Sequence, residues 1–135
     1  MFGGQARVNL VLTPTPTFER RRREHPMHAV IVTFRPAEMS QEAFRELAGE
    51  VAPAFADIPG LVTKIWLDAE DPSTPSGGGI YLFEDETQAA AYLTSELFRS
   101  GVAENPHLAD VSWRAVPVLE GPTRTTSPGL RAVAV

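Results

Sequence analysis

Between His28 and Leu119 short β-branched runs and helical stripes follow one another as strand, helix, strand, strand, helix, strand, the feature that most limits the available folds. His28 to Phe34 (HAVIVTF), closed by Arg35-Pro36, reads as the first strand. After Ser40, a good helix cap, Phe44, Leu47, Ala48, Val51, Phe55 and Ile58 keep the spacing of one helical face. Pro53 interrupts that stripe without ending it, which predicts a kinked helix up to Pro59-Gly60. Leu61 to Leu67 is a second strand, Asp68 to Gly79 a long loop, and Ile80 to Phe83 a third strand. Asp85 with Gln88 caps a second helix, whose inner face is Ala89, Ala90, Leu93, Leu97 and Phe98 and which stops near Gly101. Val111 to Leu119 supplies the fourth strand. This order predicts an α+β, ferredoxin-like βαββαβ domain: a four-stranded antiparallel sheet with both helices on one face.

The flanks lack that punctuation. Residues 1–27 read as a basic, proline-rich leader, residues 28–119 as the domain, and residues 120–135 as a loose tail. Met27, standing immediately before the first strand, is a candidate start of the functional unit. Charge divides along the same boundaries. The whole chain carries −5, yet residues 28–118 hold five basic against fourteen acidic side chains, and the basic excess lies in the ends. An acidic folded unit argues against nucleic-acid binding. With no cysteine in the chain, disulfide scaffolds, zinc-cysteine centres and thiol nucleophiles are excluded. No apolar run approaches the roughly 18 residues of a membrane span, so no membrane association and a cytoplasmic location are expected.

Strict alternation puts Leu61, Thr63, Ile65 and Leu67 of the second strand on the helix side and leaves Val62, Lys64 and Trp66 on the other face. The same count leaves Tyr81 and Phe83 beside them, with Ile80 and Leu82 beneath the helices. An uncovered aromatic face of that size calls for a partner. A homodimer with two facing sheets and a cavity between them is therefore expected.

Two segments carry a family likeness. Pro59-Gly60-Leu61-Val62-Thr63-Lys64-Ile65-Trp66, and Gly78-Gly79-Ile80-Tyr81-Leu82-Phe83-Glu84-Asp85 followed by Ala90-Ala91-Tyr92-Leu93, resemble the YdhR-type monooxygenases of the dimeric α/β-barrel superfamily. The resemblance spans roughly residues 28 to 119. It implies a dimer of ferredoxin-like subunits, a dimeric α/β barrel, and an oxygenase activity that needs no metal or flavin cofactor.

Local motifs for other chemistries are weak. Ser76-Gly77-Gly78-Gly79 leads into a strand rather than a helix, so a hairpin or bulge role fits better than a phosphate cradle. His25, His28 and His107 lack metal-ligand spacing and are expected at the surface, with no metal site. No GxSxG elbow is present, and the acidic pairs Glu70-Asp71 and Glu84-Asp85 suit caps and solvated loops. The aromatic wall and its polar handles remain. Tyr81 and Lys64 are the candidate catalytic residues; Trp66, Phe83, Trp113 and Arg114 are the candidate substrate-binding residues. Such a wall suits a flat aromatic or polyketide-like substrate that supplies an electron to molecular oxygen while the protein excludes water. The competing expectation is a non-catalytic dimeric module that binds an apolar metabolite or serves in stress response, with Trp66 and Tyr81 as interface packing.

Overall fold

The computed structural model describes residues 26–129. Four strands, β1 (His28–Pro36), β2 (Leu61–Leu67), β3 (Gly77–Phe83) and β4 (Leu108–Pro117), form one antiparallel sheet in the order β2-β3-β1-β4. With helix α1 (Gln41–Ala56) after β1 and α2 (Glu86–Leu93) after β3, this is the ferredoxin-like α+β arrangement.

Local chemistry sets the element ends. Ser40 caps α1 by accepting from the Ala43 N–H, and Asp85 caps α2 by accepting from the Gln88 N–H. Helix α1 runs through Pro53 to Ala56. The second helical stripe is not one helix: α2 ends at Leu93, and Ser95 recaps a three-residue helix α3 (Glu96–Phe98) that widens into a π-type turn over Arg99–Ala103. Strand β4 begins at Leu108 rather than Val111, with a bulge where Asp110 takes a φ of 56° and accepts from Arg35 Nε at 2.6 Å. Of the expected tail, Glu120–Thr125 forms a short helix, α4; Glu120 accepts from the Met27 backbone N–H at 2.6 Å and pairs with Arg124. The leader, apart from Pro26 and Met27, and the stretch 130–135 lie outside the described residues.

The glycine run belongs to β3 itself. Gly77, Gly78 and Gly79 pair with Phe34, Thr33 and Val32 of β1. Gly78 sits at a φ of +143°, and a Cβ there would meet the Val32 carbonyl oxygen at 2.0 Å, so only glycine permits this approach of the two backbones.

The core lies wholly between sheet and helices. Val30, Val32 and Phe34 of β1 and Tyr81 and Phe83 of β3 are buried against Phe44 and Phe55 of α1, Ala89 and Tyr92 of α2, and Phe98. This inverts the face assignment made from strict alternation. A bulge at Val62 sets Leu61 opposite Phe83 but Thr63 opposite Leu82, so Leu61 shares the helix side with Lys64 and Trp66, while Thr63, Ile65 and Leu67 turn outward. In β3 both alternating sets are apolar, and the larger pair, Tyr81 and Phe83, goes inward. The open face is therefore aliphatic, not aromatic. Ile65, Ile80, Ile31 and Arg114 stand in one row across the four strands, with Thr63, Leu82, Ala29 and Val116 in the next.

Candidate functional site

A cavity of about 390 Å³ lies between α1 and the sheet. Phe34, Phe44, Val51 and Phe55 make its apolar walls, Lys64, Trp66 and Tyr81 its sheet side, and Asn105 beyond the π-type turn adds a polar group. Its size and apolar lining suit a ringed molecule with a few polar handles.

Lys64 is held in a cage of rings. Its Nζ lies 3.4 Å from the centroid of Trp66, 3.8 Å from Phe55 and 4.6 Å from Tyr81, and Phe55 and Trp66 meet edge to face at 5.2 Å. Gly79 makes this possible: a Cβ on it would meet Lys64 Cε at 2.7 Å, so the missing side chain is the slot in which the lysine stem lies. No carboxylate pairs with the amine among the described residues. Burial without a counter-ion pulls its pKa down from 10.5 to about 7. The rings favour the charged form, but loss of water outweighs them.

Beside the amine, the Tyr81 hydroxyl shares a 2.6 Å hydrogen bond with the Tyr92 hydroxyl. Burial pushes Tyr81 up to about 12, against the opposing pull of that bond. Tyr92 is raised further, by burial first and then by Tyr81. Both phenols therefore stay protonated near neutrality and act as a hydrogen-bonding pair. Tyr92 also borders a second cavity, of about 290 Å³, with Asp57, Gln88 and Ser95.

The structure brings three of the six sequence-selected residues together: Lys64, Trp66 and Tyr81. They face α1 rather than a partner sheet, so the cavity they line lies within one chain. Phe83 is fully buried behind Tyr81, stacked on it at 6.1 Å, and supports rather than lines the cavity. Trp113 is on the helix side, edge-on to Phe98 at 5.0 Å and 44% exposed. Arg114 stands opposite Ile31, on the open face away from the cavity. Of the histidines, His107 is exposed as expected, whereas His28 is buried with no partner for its Nδ1; His25 lies outside the described residues. No cluster of metal-ligating side chains occurs among the described residues.

Sequence reasoning missed Tyr92 and the role of Phe55. Phe55 was on the predicted apolar stripe of α1, but nothing local tied it to a lysine on a strand. Tyr92 lies three residues after buried Ala89 on α2, a spacing that could have marked it as inward.

No curated protein matches the chain. Among solved structures, the crystal structure of the NE2512 protein of unknown function from Nitrosomonas europaea is similar: 19% identity, a TM-score of 0.55, and coverage of 69% of this chain and 89% of that one. That likeness concerns the fold. Residues 30–128 match the family described as "Putative mono-oxygenase ydhR", a match that contains the whole cavity wall from Phe34 to Leu108. The chain belongs to the ydhR mono-oxygenase family.

Proposed function

We propose that the chain is a small monooxygenase that oxidises an electron-rich phenol or enol, of aromatic or polyketide-like character, in the cavity beneath α1. The observation that carries this reading is the Lys64 amine in its ring cage at the wall of an apolar cavity, with no carboxylate paired to it among the described residues, in a chain of this family. A general base works best when its pKa is close to the ambient pH, and Lys64 meets that condition at about 7. The neutral amine takes the substrate hydroxyl proton, and the resulting ammonium faces the phenolate that replaces its missing counter-ion. The phenolate is electron-rich enough to reduce dioxygen itself, so the reaction calls on no separate cofactor. One oxygen atom enters the ring, the other leaves as water, and the phenol becomes a quinone. Trp66, Phe34 and Phe55 stack on the substrate and exclude water, and the Tyr81 hydroxyl, held by Tyr92, orients its oxygen. Among the described residues, Glu50, on α1, is the one carboxylate bordering the same cavity, and it is exposed.

We further assign the open aliphatic face to a homodimer contact, since Ile31, Ile65, Ile80 and Leu82 form a continuous apolar surface that no helix of the described residues covers. In that arrangement each protomer keeps its own cavity.

Oxygen uptake against a panel of hydroxylated polycyclic phenols tests the reading. Turnover is expected on at least one of them, with kcat/KM rising through about pH 7 as Lys64 loses its proton. Turnover on none, or turnover indifferent to both Lys64→Met and Tyr81→Phe, overturns it.

A further inference from the structure

Lys64 is the only lysine in the chain; the other eleven of its twelve basic side chains are arginine. The two residues do different chemistry. A guanidinium stays charged, whereas an ε-amine sheds its proton when desolvated and becomes a nucleophile. The ion pairs among the described residues are all made by arginines: Arg35 with Asp110, Arg45 with Asp68, Arg99 with Glu96 and Arg124 with Glu120. The lysine is instead placed where an arginine would be a permanent buried cation, on the inner face of β2 at the cavity wall.

We propose that Lys64 is an imine-forming amine, whose Nζ adds to the carbonyl carbon of an aldehyde or ketone carried on a flat apolar body seated beneath α1. The nitrogen lone pair forms the new C–N bond, and an amine proton passes to the carbonyl oxygen to give the carbinolamine. That hydroxyl takes a second proton from solvent and its C–O bond breaks to release water, while the nitrogen lone pair closes the C=N bond of the iminium; nothing is oxidised or reduced. The geometry supplies what the step needs. The slot at Gly79 fixes the lysine stem, the cavity offers room beside Nζ, and Trp66, at 36% exposure, leaves one side of the cage open to solvent. An iminium formed there keeps its positive charge over the Phe55, Trp66 and Tyr81 rings that now surround the amine. The titratable groups facing it are Tyr81 of β3, bonded to Tyr92 of α2, and Glu50 of α1 on the cavity rim. The low pKa of the amine leaves about half of it neutral at pH 7. This inference uses the same cavity as the oxygenase reading and none of its oxygen chemistry.

The test is reductive trapping on the full chain with 2-naphthaldehyde and cyanoborohydride, read by intact mass and peptide mapping. One lysine makes the readout unambiguous, with the chain's α-amino group as internal reference. The expected result is an adduct on Lys64 formed at least about tenfold faster than on free Nα-acetyl-lysine, saturating with aldehyde and half-developed near pH 7. Lys64→Met, which keeps the stem and its packing, retains only the α-amine adduct. Trapping on Lys64 no faster than on the free amino acid, or linear in aldehyde without saturation, overturns the inference. Oxygen uptake on the same preparation separates the two readings: trapping without phenol oxidation sinks the oxygenase alone, and phenol oxidation without trapping sinks the imine alone.

Discussion

The two faces of the sheet are built from the same four strands and differ in almost everything else. On the covered face aromatic rings meet in series, Phe55 with Trp66, Tyr81 with Tyr92, Tyr92 with Phe98 and Phe98 with Trp113, and a single amine sits among them. The open face is aliphatic, with Ile65 at 55% exposure and Arg114 at the end of the same row. Aliphatic side chains offer area and no chemistry. Rings with hydroxyls and an unpaired amine offer orientation, charge stabilisation and proton transfer. On the proposed reading, reaction belongs to the first face and association to the second.

Lys64→Met attacks the covered face most severely. Loss of a general base of this kind lowers kcat/KM by about 100-fold or more, read by oxygen uptake on whichever phenol is turned over. The same substitution raises stability. The unfolded chain holds a proton on Lys64 up to about pH 10.5, whereas the folded chain sheds it near 7, so the folded state gains stability as pH rises between those values. The penalty of the buried ammonium is complete below pH 7, at most about 5 kcal/mol and less after screening through the open side of the cage. Thermal denaturation of Lys64→Met should therefore show its largest gain at pH 5 to 6, shrinking steadily towards pH 10.

Gly79→Val breaks the covered face without touching a reactive group. Its Cβ falls 2.7 Å from Lys64 Cε, so the stem must leave its slot. Oxygen uptake should fall nearly as far as with Lys64→Met, and denaturant unfolding should show a loss of about 1–3 kcal/mol from overpacking.

The open face is tested by Ile65→Arg with Ile80→Lys. Light scattering should report a monomer in place of a dimer, while phenol binding in the cavity is retained within about threefold. A dimer that survives both charges places the seam elsewhere. The smallest expected effect is that of Tyr92→Phe, which strips the Tyr81 hydroxyl of its buried partner and should cost about 1–3 kcal/mol by chemical denaturation.

The order of elements was legible because each carries a local signal: β-branched runs, the Ser40 and Asp85 caps, and the Pro59-Gly60 stop all act over a few residues. Which face is which was not, because both alternating sets of β3 are apolar and the alternation of β2 itself breaks at one extra residue. The bulge at Val62 reverses the alternation within β2, and its cause is the pairing of Leu61 with Phe83, more than twenty residues away. Lys64, Trp66 and Tyr81 were legible as a set because cross-strand neighbours share a face whichever way it points. Phe83 was drawn in by the same count but lies behind the cavity; Trp113 and Arg114 were alternatives that depended on which way the fourth strand turns, and Trp113 falls on the helix side beside the cavity while Arg114 falls on the open face. The breakdown of the second helix at Ser95 was hidden by an apolar stripe that continues across it to Phe98.

The central claim is that the covered face holds an amine poised near neutrality, and the chain's single lysine allows that to be measured directly. In protein labelled only on lysine with ¹³C and ¹⁵N, one ε-amine resonance is expected, titrating near pH 7 and moving to higher pH when a phenolic ligand occupies the cavity. A midpoint near 10.5, unmoved by any phenol, would contradict the account.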